Sequence, residues 1–275
     1  MSAETSSPPR SGFGVTERKD AWWVGPLLTA LGLGSFGIYA TYRALSNQFF
    51  LVDGAPFLGW GQENVAAVVP GHSFLLSPFY SPLLIFPWMP AWLSPAFFIL
   101  WAPGGFRLTC YYYRKAYYRA FFMDPPACAV GEPRTTYSGE TRLFLFQNLH
   151  RFFMYLAIIF VVILSIDVVH AATWPSDDGG NTFGISVGTL VLATSTILLA
   201  LYTFSCHSLR HLIGGNVDCY SCVAFGKTRH KLWTGISRIN THHMLWAWLS
   251  LFAVGLADFY VYLVASGAIQ DYRIF

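Results

Sequence analysis

The chain has 275 residues, of which 54% are hydrophobic, 18% aromatic and only 11% charged. This composition excludes an ordinary soluble globular protein, because such proteins carry about 25% charged residues. The formal net charge of +3 is small, and its distribution along the chain indicates membrane topology rather than nucleic-acid binding. The sequence is therefore that of a membrane protein.

Five apolar runs are long enough to cross a bilayer, whose hydrocarbon core of about 30 Å requires roughly 20 helical residues. We predict an all-α integral membrane protein, a bundle of five transmembrane helices in an anchor domain over residues 20–270. Residues 1–19 are predicted to form a disordered leader, and residues 271–275 a short tail. The predicted helices span residues 21–43, 81–104, 149–172, 183–211 and 241–267.

The second predicted helix is the least regular of the five. Its run contains five prolines, which remove backbone donors and bend or break helices. We expect it to be kinked or partly re-entrant. These prolines are Pro82, Pro87, Pro90, Pro95 and Pro103.

Lysine and arginine are distributed unevenly between the two ends of the predicted bundle. They concentrate before the first helix, between the second and third, and between the fourth and fifth, whereas only Arg43 and Arg273 lie at the opposite end. Short cytoplasmic loops retain positive charge. We therefore predict a multi-pass protein of the cell membrane whose amino terminus and loops 105–150 and 207–243 are cytoplasmic, with an external carboxyl terminus.

All five cysteines and six of the eight histidines lie on or next to this predicted cytoplasmic face. Thiols there are normally kept reduced, so disulfides are not expected. Isolated cysteines and interfacial histidines are mostly structural, but sulfur and imidazole together are the ligands of zinc, iron and iron–sulfur sites. The clustering on one face therefore predicts a metal site.

The stretch CHSLRHLIGGNVDCYSC, residues 206–222, has the spacing of such a site. His207 and His211 are four residues apart, so they share one helix face if the fourth helix continues past Cys206. Cys219 and Cys222, the CxxC pair, have the two-residue gap that lets two thiolates bind one ion. Spacing leaves the metal open between zinc, haem iron and an iron–sulfur cluster.

Haem b is constrained by where the histidines fall. The first and second predicted helices contain none, so an anchor that holds two haems through four histidines from facing helices cannot be built. A single haem between His150 and His243 remains an alternative.

Several stretches resemble one protein family. The chain is similar, over most of residues 20–270, to the membrane subunit of actinobacterial succinate dehydrogenase. The resemblance implies type F complex II, in which a single five-helix anchor without haem is thought to hold a Rieske-type [2Fe–2S] cluster. Such an anchor docks a flavoprotein and an iron–sulfur subunit on its cytoplasmic face and passes electrons to menaquinone. The stretches are FRLTCYYYRKAYYRAFF (106–122), DPPACAV (124–130), QNLHRFF (147–153), CHSLRHLIGG (206–215) and HMLWAWLSLFAVGLADFYV (243–261).

The resemblance implies two histidine ligands to one iron and two cysteine ligands to the other. His207 and His211 are the predicted histidine pair. The motifs favour Cys110 and Cys128 as the cysteine pair, whereas spacing alone favours the CxxC pair. Cys206 and His150, the histidine of QNLHRFF, are the further candidate ligands.

The quinone site is predicted only as a neighbourhood at the cytoplasmic helix ends, comprising His150, Arg151, His243 and Trp246, each of which could equally be an interfacial anchor. Two deeper carboxylates, Asp167 and Asp258, are functional candidates by default, with snorkelling toward the nearby helix end or pairing with His170 as the alternative. No residue here is predicted to take part in succinate chemistry. The rival class is a multi-spanning transporter or assembly protein with a structural zinc. A transporter is expected to have polar or broken helices near the midplane. Apart from the proline-rich second helix, the sequence shows none, which disfavours a transporter.

Overall fold

The computed structural model describes residues 12–53, 66–86, 88–90, 92–133, 149–176 and 178–275. The chain divides into two compact units, one formed by residues 1–35 and 108–149 and the other by residues 36–107 and 150–275. The helices are, in chain order, α1 (Val24–Ser46), α2 (Ala96–Ile99), α3 (Trp101–Thr109), α4 (Tyr111–Tyr117), α5 (His150–Ala171), α6 (Val187–Phe204), α7 (His207–Arg210), α8 (Gly226–Asn240) and α9 (His243–Ala265).

Within the described residues, four helices are long and apolar enough to cross a membrane, namely α1, α5, α6 and α9. The predicted helices 21–43, 149–172 and 241–267 correspond to α1, α5 and α9. The shortest of the four, α6, has 18 residues and rises about 27 Å at ~1.5 Å per residue. Ser186 begins it with a capping box, in which its side chain and that of Thr189 each accept from the other's backbone N–H.

The predicted second transmembrane helix, residues 81–104, is not a continuous helix. The described residues between 81 and 95 are irregular, and helical backbone is limited to α2 and α3. The physical reason is the proline content, since each proline removes a donor and disfavours helical backbone at the preceding residue. The irregular segment exposes Trp88 and Trp92. A fifth spanning helix at this position is therefore not seen.

The predicted fourth helix, residues 183–211, is also interrupted. Helix α6 ends at Phe204, and Cys206 has extended backbone, with φ −61° and ψ 136°. The chain then restarts as the short α7, followed by a π-helical turn at His211–Gly215. The expectation that one helix runs past Cys206 is therefore wrong.

Short strands occur at the helix connections, and the all-α prediction missed them. β1 (Leu51–Asp53) lies between β2 (Ala66–Val68), to which it is parallel, and β3 (Leu75–Leu76), to which it is antiparallel. β4 (Thr173–Pro175) and β5 (Asn181–Phe183) form an antiparallel hairpin between α5 and α6. These strands are too short for an alternating pattern to reveal them in the sequence.

The larger unit is built around α9, which packs along α6, while α6 packs along α5. Among the residues that the structure describes, two groups of buried apolar side chains lie in this unit. One contains Ala44, Phe50, Leu51, Leu76, Phe79, Tyr80 and Ala96. The other contains Val52, Leu75, Ala171, Leu192, Ala257, Val261, Val264 and Ala265.

A buried ion pair ties α1 to α9. The Arg43 Nε donates to Asp258 Oδ2 at 2.8 Å, and the two side chains are only 1% and 0% exposed. Tyr39 and Ser77 donate to the same carboxylate, each at 2.5 Å. The predicted intramembrane carboxylate Asp258 therefore has a counter-ion within the fold.

The second intramembrane carboxylate, Asp167, is also buried. It accepts a hydrogen bond from Ser81 rather than from the predicted partner His170. That bond ties α5 to the irregular segment that replaces the predicted second helix.

The carboxyl-terminal tail is bound to the end of the larger unit through Asp271. Its carboxylate accepts from the Gly188 N–H at 2.8 Å and from the Tyr260 hydroxyl at 2.7 Å, and it lies 3.3 Å from His72 Nε2. Burial alone would raise the pKa of Asp271, but the contacts with His72, Tyr260 and Gly188 lower it overall. Burial alone would lower the pKa of His72, and the Asp271 carboxylate raises it overall.

In the smaller unit, the residues before α1 contact the loop after α4. Gly14 N–H donates to the Gly131 carbonyl at 3.0 Å, and Thr16 donates to the Ala129 carbonyl at 2.7 Å. Part of the predicted leader is thus held by hydrogen bonds, while residues 1–11 and 134–148 lie outside the described residues.

Candidate functional site

A group of imidazole, thiol and aromatic side chains, all buried except the half-buried His243, lies where α5 and α9 begin and α6 ends. We call Phe106, His150, Tyr202, Cys206 and His243 the imidazole–thiol cluster. The His150 Nε2 is 3.1 Å from the Cys206 Sγ. The two residues are 8% and 1% exposed. Nitrogen and sulfur donors are therefore paired away from solvent.

The rings of the cluster contact one another in sequence. Phe106 stacks on His150 with ring centroids 4.8 Å apart and planes 6° apart, and it contacts Tyr202 at 5.2 Å. Tyr202 in turn stacks on His243 at 5.1 Å. This sequence of contacts fixes the orientation of both imidazoles.

A cation lies beside the cluster. The Arg107 guanidinium is 4.8 Å from the centre of the Tyr202 ring, and it donates to the Ala247 carbonyl at 3.2 Å and to the Ser250 hydroxyl at 3.0 Å. These contacts hold the charge in place between α3 and α9. A fixed guanidinium is suited to an anionic or carbonyl oxygen.

The break at Cys206 is what positions the thiol. Extended backbone there ends α6 and turns the chain into α7. The preceding residue, Ser205, is held by several hydrogen bonds: its hydroxyl donates to the Tyr202 carbonyl at 3.1 Å and is 2.7 Å from His243 Nδ1, and its carbonyl accepts from the Asn240 side chain at 2.6 Å. The end of α6 is thereby joined to the end of α8 and to the start of α9.

Comparison with known proteins identifies the family of the chain. A family model described as actinobacterial succinate dehydrogenase subunit SdhC matches residues 24–267. The chain belongs to that family. It is similar to a chain in the solved structure "Mycobacterium smegmatis Sdh1 complex in the apo form", with 40% identity, 98% of each chain covered and a TM-score of 0.79. A search of curated proteins found no match.

This SdhC-family chain is therefore a membrane-anchor subunit of succinate dehydrogenase and a multi-pass protein of the cell membrane. The predicted family is confirmed. The alternative of a transporter or assembly protein is excluded by the family match.

The predicted ligand residues lie in different parts of the SdhC-family chain. His207 and His211 are exposed, at the start of α7 and at its carboxyl end. Cys110 is buried and precedes α4, whereas Cys128 is exposed and its carbonyl accepts from Arg18 at 2.9 Å. The histidines belong to the larger unit and the cysteines to the smaller.

Among the described residues, no three histidine, cysteine, aspartate or glutamate side chains are close enough to hold a metal ion. The ligand set His207, His211, Cys110 and Cys128 thus stays a prediction.

The alternative ligands, the CxxC pair, bind each other. Cys219 and Cys222 form a disulfide, so the expectation that disulfides are absent is wrong. That expectation was drawn from the compartment alone, and it ignored the fact that a two-residue gap brings two sulfurs together.

The predicted quinone residues are partly brought together. His150 and His243 belong to the cluster, whereas Arg151 is exposed at the start of α5. Trp246 is half-buried and donates to the Ile239 carbonyl at 3.2 Å.

Sequence reasoning did not select the residues that link the two imidazoles. Phe106 and Arg107 lie in the FRLTC motif that contributed to the family resemblance, yet neither was assigned a role. Tyr202 and Ser205 are not among the predicted site residues. Within the cluster, His150, Cys206 and His243 are the residues that the sequence indicates, through residue type and position.

Proposed function

We propose that this chain is the electron-transferring anchor of succinate dehydrogenase. Succinate is oxidised in a separate flavoprotein subunit, and an iron–sulfur subunit docked on the cytoplasmic face passes electrons to this chain. The chain delivers two electrons, with two protons, to menaquinone, giving menaquinol. The observation that carries the proposal is the buried imidazole–thiol cluster at one end of a bundle in an SdhC-family protein.

The orientation follows from the distribution of lysine and arginine. The cluster, the loop after α4 and α8 are assigned to the cytoplasmic side, and the β4–β5 hairpin and the carboxyl terminus to the outside. Reporter fusions after Gly131 and Gly226 should therefore report a cytoplasmic location, and a fusion after Gly180 an external one. An inverted pattern would place the cluster away from the soluble subunits and would remove the docking argument.

The cofactor we propose is a Rieske-type [2Fe–2S] cluster, which takes imidazole ligands on one iron and thiolates on the other. The donor chemistry of His150 and Cys206 fits such a group, because an imidazole and a thiol lie together at low solvent exposure. Bound here, the group would supply one-electron transfer. Two ligand assignments follow. The first is the predicted set His207, His211, Cys110 and Cys128, and the second draws on His150 and Cys206.

The protein's own residues have roles that do not depend on that choice. Phe106 and Tyr202 cover the imidazoles and keep water away from them. The Ser205 hydroxyl and His243 can hold a proton between them for the quinone. Arg107 offers a fixed positive charge to a quinone oxygen.

The proposal is tested by two pairs of substitutions in the purified complex, His207→Ala with His211→Ala and His150→Ala with Cys206→Ser. The complex in which the true ligands are replaced should lose iron, acid-labile sulfide and the electron paramagnetic resonance signal of the iron–sulfur cluster. Succinate oxidation with a soluble artificial acceptor should survive, because that chemistry belongs to another subunit, while succinate-to-quinone activity should fall to background. His170→Ala, an exposed imidazole at the far end of α5, is the control.

Normal quinone reduction in both double variants, with the complex intact, would refute the assignment. Stoichiometric haem b in a reduced-minus-oxidised spectrum would instead favour a haem held by His150 and His243. Loss of the iron–sulfur cluster in only one of the two double variants would identify the ligand set.

A further inference from the structure

The CxxC pair forms a disulfide on a face that we assign to the cytoplasm. Among the described cysteines, Cys110, Cys128 and Cys206 are thiols, so the disulfide is confined to this loop. Disulfides in the cytosol of ordinary cells are rare, and those that occur are usually catalytic or redox-sensing. A disulfide in this position therefore requires an explanation other than structural stapling.

We propose that Cys219 and Cys222 form a reversible redox couple that exchanges electrons with a dithiol protein reductant of the cytoplasm. The proposal rests on the orientation given under Proposed function. It does not depend on the identity of the cofactor, and it requires only that Cys219 and Cys222 are not ligands of that cofactor.

The exposure of the two sulfurs sets the order of the exchange. Cys222 is exposed and Cys219 is half-buried, so a thiolate of the reductant attacks Cys222 Sγ. The Cys219–Cys222 bond breaks, and Cys219 leaves as a thiolate. The Ser221 hydroxyl, 3.3 Å from Cys219 Sγ, can donate to that thiolate.

The second thiol of the reductant then completes the reaction. It attacks the mixed disulfide, releases Cys222 as a thiolate and forms a disulfide within the reductant. Two electrons and two protons pass from the reductant to the CxxC pair, and the reductant is oxidised by the same amount. An oxidised dithiol protein returns the pair to the disulfide by the reverse steps.

The loop is held by contacts that do not involve sulfur. The Tyr220 hydroxyl donates to the Gly214 carbonyl at 2.8 Å, and its ring lies 4.9 Å from the ring of His230. The Arg229 Nε donates to the Ile213 carbonyl at 2.8 Å. Opening the disulfide therefore leaves the loop attached to α8, and the two sulfurs stay close enough to reclose.

The surrounding charge favours the exchange. Lys227, Arg229 and Lys231 follow the pair on the first turns of α8, and Asp218 is the one carboxylate in residues 216–231. Cationic side chains stabilise thiolates and assist their release. They also attract an acidic protein surface around the attacking thiol.

The test uses the intact complex in lipid nanodiscs, with thioredoxin, its reductase and NADPH as the probe. After acid quenching, thiols are alkylated and read by peptide mass spectrometry. Cys219 and Cys222 should change from disulfide to alkylated dithiol, whereas the exposed thiol Cys128 should be alkylated before and after reduction. A thioredoxin whose second active-site cysteine is replaced by serine should be trapped on Cys222.

Persistence of the disulfide, under conditions in which the same probe reduces insulin, would overturn the proposal. So would finding both cysteines fully reduced in acid-quenched cells under both normal and oxidant-stressed growth. A membrane-impermeant maleimide separates the premise from the chemistry. Labelling of reduced Cys222 in intact spheroplasts would mean that the loop faces outward. That result would overturn both the cytoplasmic reductant and the assigned orientation. Labelling only in inverted vesicles would support both.

Discussion

Replacing Asp258 with asparagine tests how strongly the buried ion pair stabilises the bundle. Asparagine keeps the size of the side chain, but it leaves the Arg43 guanidinium without a counter-charge at a site where both side chains are at most 1% exposed. Removing one member of a buried pair costs about 3–5 kcal/mol, whereas an exposed pair contributes only about 0–1 kcal/mol. We expect Asp258→Asn to lower the free energy of unfolding by about 3–5 kcal/mol.

The measurement is the unfolding of the purified complex in lipid nanodiscs, followed by steric trapping or by circular dichroism during titration with dodecyl sulfate. Asp178→Asn, an exposed carboxylate between β4 and β5, is the matched control and should have little effect. The double change Arg43→Met with Asp258→Leu removes both charges and should recover part of the loss, limited by the unmet hydroxyls of Tyr39 and Ser77. A cost below about 1 kcal/mol for Asp258→Asn would refute the reasoning.

Two further predictions concern the ends of the larger unit. The pKa of His72 is raised in the folded protein, so His72 stabilises the tail below about pH 6.5 and loses that contribution as the pH rises through its folded pKa. The pKa of Asp271 is lowered, so Asp271 stabilises the tail above about pH 3.9. Amide exchange in residues 271–275, corrected for its intrinsic pH dependence, should therefore be faster at about pH 8.5 than at about pH 6, and His72→Gln should abolish the difference. Gly226→Ala would drive a methyl group into the Tyr220 carbonyl oxygen, so it should loosen the CxxC loop and speed alkylation of Cys219 and Cys222 once their disulfide has been reduced, while Gly235→Ala, with open space around it, should not. Equal alkylation in the two glycine variants would contradict the packing described for this loop.

The spanning helices could be predicted because hydropathy over a long window is a strong signal. Helices α1, α5 and α9 lie within a few residues of the predicted ranges. The segment 81–104 has the same apolar composition, yet its prolines prevent a continuous helix. Hydropathy measures how readily a segment is transferred out of water. It does not measure whether the backbone of that segment can form the hydrogen bonds of a continuous helix.

The site was harder to predict because it is assembled by a break in a helix. The sequence interpretation extended α6 past Cys206 to place His207 and His211 on one helix face; they do lie one helical turn apart, since the His211 N–H donates to the His207 carbonyl, but this turn belongs to the separate helix α7. Extended backbone at Cys206 instead turns its thiol toward His150. A single residue outside helical geometry reorders the side chains that follow it, and no periodicity in the sequence reports it.

The ion pair between Arg43 and Asp258 also sets a constraint on how the chain is made. The two residues are 215 positions apart, so at ~5–20 residues per second the arginine is synthesised about 10–40 s before its partner. During that interval the arginine, in the last turn of α1, must reach the lipid headgroups with its long side chain. The counter-charge of Arg43 is therefore supplied late, and the ion pair between α1 and α9 forms only when the last helix arrives during biogenesis.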